Sequence, residues 1–237
     1  MPYVAPTTIT HTTVPSHVAG EVYPAADYQT LVTDVNQMVS GYNTIVNDIL
    51  QFAPMVQGVF TTEAARNTAI TSPTEGMHVY LTAPTEPSGT GMTITGVKQV
   101  FDGTNWVTTS PITGFVATGE LVSAAGYGNL ATVGPVVAIR TGVSALVTMS
   151  AKLATGGATR VPYAHFQVVP TSGPTIAASD ALALFATSST TDLQIDASRT
   201  YLITGLTAGV NTFTMQYRRD VGNGTISNRA LTVVGLA

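Results

Sequence analysis

The residues able to do chemistry in this 237-residue chain are few and far apart. Glycoside cleavage needs two carboxylates flanking one scissile bond. The C-terminal half offers Glu120, Asp180, Asp192, Asp196 and Asp220, scattered among expected loops. It also lacks the repeat that builds a long glycan-cleaving β-helix. Of the four histidines, His11 and His17 stand six apart, which does not match the i, i+4 pair of a helical zinc site. His78, near Tyr80, and His165, beside Phe166, read as ordinary strand positions. Cysteine is absent, so disulfides and thiolate chemistry are excluded. The chain is read as no enzyme, with no catalytic residue, no metal ligand and no cofactor site.

Binding chemistry leaves more to weigh. Arg218 and Arg219 end one expected strand, and Arg229 is expected across a hairpin from them. Such a trio is either an anion site or solvated strand-end charge beside Asp220, and the second reading is favoured. Trp106, the single tryptophan, reads as the core of a small module ahead of a sugar-stacking platform. Tyr127 in AAGYGN and Tyr163 in ATRVPYAH are the candidate contacts for a surface ligand such as a glycan. Nucleic acid is not an expected partner. The net charge is −4, residues 1–60 carry Glu21, Asp27, Asp34 and Asp48 with no Lys or Arg, and the remainder is balanced.

The elements that must position these residues are mostly strands. Only 9 % of residues are charged, against ~25 % in a usual globular chain. Threonine, which suits a half-buried pleated surface, occurs about forty times. A chain so poor in charge, with a mean hydropathy of +0.27, is expected to hide surface by oligomerising. No run reaches the ~18 apolar residues of a membrane helix, so no membrane insertion is expected. The first residues have neither a basic start nor an apolar core, so they do not read as a secretory signal.

Four segments follow. Residues 1–24, rich in Thr and Pro, have no core of their own and read as an extended attachment arm that orders against another protein. Residues 25–54 hold a heptad seam. Tyr28, Val35, Tyr42 and Ile49 fall at a; Leu31, Met38, Ile45 and Phe52 fall at d. Val32, Val39 and Val46 at e widen the stripe, which favours three or more helices. The Asp27, Asp34 and Asp48 column at g is expected to stay solvated. Residues 55–114 read as a small β module. A two-residue Asp102-Gly103 loop is expected there to pair Phe101 with Thr104 and Gln99 with Trp106. Residues 115–237 read as an antiparallel jelly-roll sandwich of short strands. Its last two strands are expected to form a bulged or odd-length hairpin that pairs Met215 with Leu231 and Phe213 with Val233. The fold class is therefore mainly β with one coiled-coil helix.

Three stretches resemble bacteriophage virion proteins. VAGEVYPAADYQTL (18–31) is similar to the opening seen where such proteins leave their attachment arm. TEAARNTAITSPTEGMHVYL followed by VFDGTNWV resembles a small module of phage tail and head-fibre proteins. TYLITGLTAGVNTFTMQYRRDVGNGTISNRALTVVGL resembles the end of the TNF-like or C1q-like jelly rolls of actinobacterial phages. The resemblance implies a homotrimeric fibre or decoration protein on the virion surface. It would be held to a capsid or tail protein by residues 1–24. Its alternative is a receptor-binding fibre tip that recognises host glycan. No family ligand motif is carried over.

Overall fold

The computed structural model describes residues 33–42, 56–155, 161–187, 193–222 and 224–237. The expected arm, 1–24, and the seam residues Tyr28, Leu31, Ile45, Ile49 and Phe52 lie outside them. The chain divides into two units, Met1–Val56 and Gln57–Ala237. In the first, residues 33–42 form helix α1. Its expected seam positions Val35, Met38 and Tyr42, with Val39 beside them, are all exposed, Tyr42 at 68 %. Asp34 is buried instead of solvated, which corrects the reading of that position.

The second unit begins with a small sheet whose strand order is β1-β2-β4-β5. Its members are β1 (Val56–Phe60), β2 (His78–Leu81), β4 (Val97–Phe101) and β5 (Trp106–Thr108). Helix α2 (Glu63–Ala69) follows β1, and Thr62 caps it by accepting from the Ala65 amide at 3.3 Å. The β4–β5 loop differs from the expected two-residue turn. Phe101 pairs with Trp106 and Gln99 with Thr108. The Asp102 carboxylate accepts from the Thr104 and Asn105 amides at 2.9 and 2.6 Å, which holds a four-residue loop open. The paired rings of Phe101 and Trp106 lie 5.4 Å apart, and the Arg66 guanidinium covers Trp106 at 4.6 Å. Trp106 is buried, as a core residue should be.

Alternation of buried and outward residues, strictest in the eleven-residue strands Ser144–Ala154 and Gly209–Arg219, then builds two facing sheets. One has the order β11-β10-β13-β8-β3, made of β3 (Ser88–Gly89), β8 (Val136–Thr141), β10 (Pro162–Pro170), β11 (Leu184–Phe185) and β13 (Gly209–Arg219). The other has the order β12-β9-β14-β6, with β7 also on β14. It is made of β6 (Ile112–Val116), β7 (Glu120–Val122), β9 (Ser144–Ala154), β12 (Gln194–Thr204) and β14 (Gly224–Leu236). β6 crosses the expected boundary at residue 114 and pairs with β14. Phe166, Phe213, Met215 and Tyr217 from one sheet and Val147, Met149, Leu231 and Val233 from the other fill the space between. Each such side chain contributes about 1.5–3 kcal/mol by leaving water.

The chain passes repeatedly from one sheet to the other, as in a jelly roll. That overturns the expected terminal hairpin. β13 pairs with β10 and β8, while β14 pairs with β9, β6 and β7. Phe213 and Met215 therefore meet Leu231 and Val233 across the core and not side by side. The parity change is real, but it lies within β14. The register shifts between Ser227 and Ala230, where Asn228 has φ +48°. Ile226 before the bulge and Arg229, Leu231 and Val233 after it all face inward.

Candidate functional site

β13 spans the length of its sheet, from Gly209 opposite Thr141 to Arg219 opposite Pro162. The Thr141 end adjoins the small sheet, where Arg140 pairs with Glu86 at 3.1 Å. The candidate contacts gather at the other end. Tyr163 on β10 pairs with Phe185 on one side and Arg218 on the other, so the three form one row across adjacent strands. The rings of Tyr163 and Phe185 stack at 5.5 Å and 26°. The Arg218 guanidinium lies 4.1 Å from the centre of the Tyr163 ring. A bridge between Gly128 and Tyr217 brings Tyr127 to the same place, with its ring 5.8 Å from Arg218.

Asp180 ties the row together. Arg218 donates to it through Nε at 2.6 Å and also through Nη2, a bidentate fork. The Tyr127 hydroxyl donates to the same carboxylate at 2.9 Å and to Ser179 O at 3.2 Å. Hydrogen bonding from Arg218 holds the Asp180 carboxyl below the ordinary carboxylate range, and the bond from Tyr127 adds to that. Arg218 is held further into its charged form by the same contact. Burial, followed by the bond to Asp180, pushes the Tyr127 hydroxyl well above the usual phenol range. Behind them His165 is buried and packs flat on Phe166 at 4.6 Å. Its Nδ1 lies 2.8 Å from Phe166 O, and its buried Nε2 has no partner. Burial lowers its basicity. His165 is thus part of a packed layer, a role its strand position did not announce.

Arg229 was expected to be a solvated charge near Arg218; the structure corrects this. Its side chain is 0 % exposed and pairs with Glu120 at 2.8 Å, under the ring of Tyr217. It also donates to Thr132 O and Thr118 O, which fixes the loops around β7. Burial raises the Glu120 pKa, but hydrogen bonds from Thr132 and Arg229 outweigh it and leave the group below its ordinary range. A cleft of about 510 Å³ runs beside this lock, lined by Glu120–Ala124, Asn129–Ala131 and Tyr217.

Tyr127 and Tyr163 are therefore brought into one cluster, together with Arg218. Sequence reasoning missed Phe185, and it saw Asp180 only as a scattered loop carboxylate. Both depend on long-range register, which no local spacing signals. Among the described residues no three His, Asp or Glu side chains gather as a metal site, and no helix is long and apolar enough to cross a membrane.

No protein-family model matches the chain, and no curated protein does. Solved structures overlap part of it, among them two viral ones. One is described as the structure of infectious bursal disease virus Gt strain, with 13 % identity over 59 % of this chain and 43 % of that one, at a TM-score of 0.39. The other is a crystal structure of the infectious bursal disease virus VP2 subviral particle, with 11 % identity over 59 % of this chain and 39 % of that one, at 0.38. The chain thus spans less than half the length of either viral chain. Overlaps at such scores carry no argument about function.

Proposed function

We propose that this chain is a structural protein of the bacteriophage virion surface, a fibre or decoration that acts as a homotrimer and catalyses nothing. Residues 1–24 dock on a capsid or tail protein, residues 25–54 bundle around the trimer axis, and the β-rich unit carries the outward surface.

One observation supports this most: the outward face of the β12-β9-β14-β6 sheet. Thr113, Thr232, Thr148 and Thr200 form one row across its four strands. Their hydroxyls join in pairs at 2.8 and 2.9 Å. The next row is Val234, Leu146 and Leu202, with Leu202 60 % exposed. Charge enters only where Lys152 faces Asp196. Beside this face, β12 is an eleven-residue edge strand without proline, an arrangement that soluble proteins normally cover. Three strands of 11 to 13 residues and the five-residue β6, ~4.8 Å apart, present roughly 500–600 Å², a large part of the ~800 Å² per partner of a stable interface. The exposed Val35, Met38, Val39 and Tyr42 of α1 ask for the same kind of cover.

Sedimentation equilibrium of the full chain tests this reading. The expected mass is three times 24.5 kDa, and a lone 24.5 kDa species at micromolar concentration would sink it. A variant lacking residues 1–24 should remain trimeric and fail to incorporate into particles.

A further inference from the structure

The cluster at the Arg219 end of the sandwich has features that packing alone does not require. Phe185, the outer member of the row, is 49 % exposed although it stacks on Tyr163. Asp180 is fixed from behind by Arg218 and Tyr127, yet its side chain is 53 % exposed. Asp220, 58 % exposed, lies 3.9 Å from the same guanidinium. An exposed aromatic ledge thus adjoins two outward carboxylates, one of them held in a single orientation.

Arg218 is not available to an incoming anion. Its Nε and Nη2 donate to Asp180, its Nη1 donates to Arg219 O at 3.2 Å, and its face lies on Tyr163. The neighbouring Arg219 donates through Nε to Ser123 O and through Nη1 to Gly222 O. Among the described residues of this row, an acidic ligand would meet two carboxylates and an arginine whose donors are already used. A cationic ligand would meet Arg218 over the ring it needs. The complementary molecule is neutral, donates hydroxyl groups, and has one apolar C–H face to lie on an aromatic ring.

We propose that Phe185, Tyr163, Asp180 and Asp220 form a binding platform for a neutral saccharide. The C–H face of a pyranose lies on Phe185 and the rim of Tyr163, and adjacent hydroxyls donate to Asp180 and Asp220. Arg218 and Tyr127 are positioning residues that hold Asp180 ionised and aimed outward. Such a platform works whether or not the chain is assembled on a particle.

Saturation-transfer NMR on the full chain tests it, with the methyl glycosides of glucose, galactose, mannose and N-acetylglucosamine as neutral probes and 3′-sialyllactose as the acidic one. At least one neutral glycoside should show transfer from aromatic protons, with a Kd in the millimolar range. Phe185→Ala should weaken that binding about tenfold or more while the circular dichroism and melting profile stay unchanged. Asp180→Asn should weaken it without removing the ring contact. Val143→Ala, exposed at the Thr141 end, should leave it intact. Absence of transfer to all four neutral glycosides, equal or stronger binding of 3′-sialyllactose, or full binding by Phe185→Ala would each overturn the proposal.

Discussion

Two arginine–carboxylate pairs stand near one end of this sandwich, and they do opposite jobs. Arg229 and Glu120 are sealed, at 0 % and 13 % side-chain exposure, between the loops around β7 and the ring of Tyr217. Arg218 and Asp180 form the better fork, yet Asp180 is more than half exposed. The same chemistry is an anchor in one place and a presented surface in the other. The difference is the dielectric around the pair. A buried ion whose partner is removed keeps its full desolvation cost, whereas an exposed one is rehydrated.

That contrast is testable by removing one partner from each pair. Glu120→Ala should cost about 3–5 kcal/mol in denaturant unfolding, because Arg229 is left buried and uncompensated. The double replacement Arg229→Met with Glu120→Leu should restore much of that loss, since apolar groups of similar volume then fill the site. If Glu120→Ala is nearly neutral, Arg229 is not an anchor.

Acid should separate the pairs next. Glu120 and Asp180 both sit below their ordinary carboxylate values in the folded chain. Their stabilising contribution is therefore complete above the unfolded values of 4.5 and 3.8, and it is lost as pH falls through the lower folded values. Glu120→Gln should flatten the acid limb of a stability-against-pH curve more than Asp180→Asn does, because the buried pair contributes more. Equal slopes in the two variants would erase the distinction.

The smallest effect belongs to the exposed pair. Asp180→Ala should change unfolding stability by only about 0–1 kcal/mol. Amide hydrogen exchange in residues 123–128 should nevertheless quicken, since Tyr127 loses its carboxylate partner. A stability loss as large as that of Glu120→Ala would make Asp180 a core anchor and remove the contrast.

The two pairs were not equally legible in the sequence. Tyr127 and Tyr163 could be singled out from residue type and expected loop position, whereas Arg218 reads from the sequence as solvated strand-end charge. That Arg218 would meet Asp180, and Tyr163 would meet Phe185, depends on pairings across strands distant in the chain. Arg229 read as solvated because strand ends usually are. Its burial follows from the period of two, which puts Arg229 on the same side as Leu231 and Val233, while the bulge at Asn228 keeps Ile226 on that side too. The Asp102-Gly103 loop went astray for a local reason. Dipeptide type suggests a turn length, but here the Asp102 side chain binds two loop amides and stabilises a longer one.

The sequence by itself determined which residues face inward in the long strands. Val147, Met149 and Leu153 on β9, and Phe213, Met215 and Tyr217 on β13, recur every second or fourth residue, and a pleated chain has a side-chain period of two. Only the tertiary structure decided which strands would be neighbours. Phe213, Met215, Leu231 and Val233 suit a hairpin and a two-layer core equally well, because burial satisfies an apolar side chain from beside or from across. Backbone hydrogen bonds decide between them. Once β10 and β8 occupy both edges of β13, β14 has no free edge there and must complete the opposite sheet.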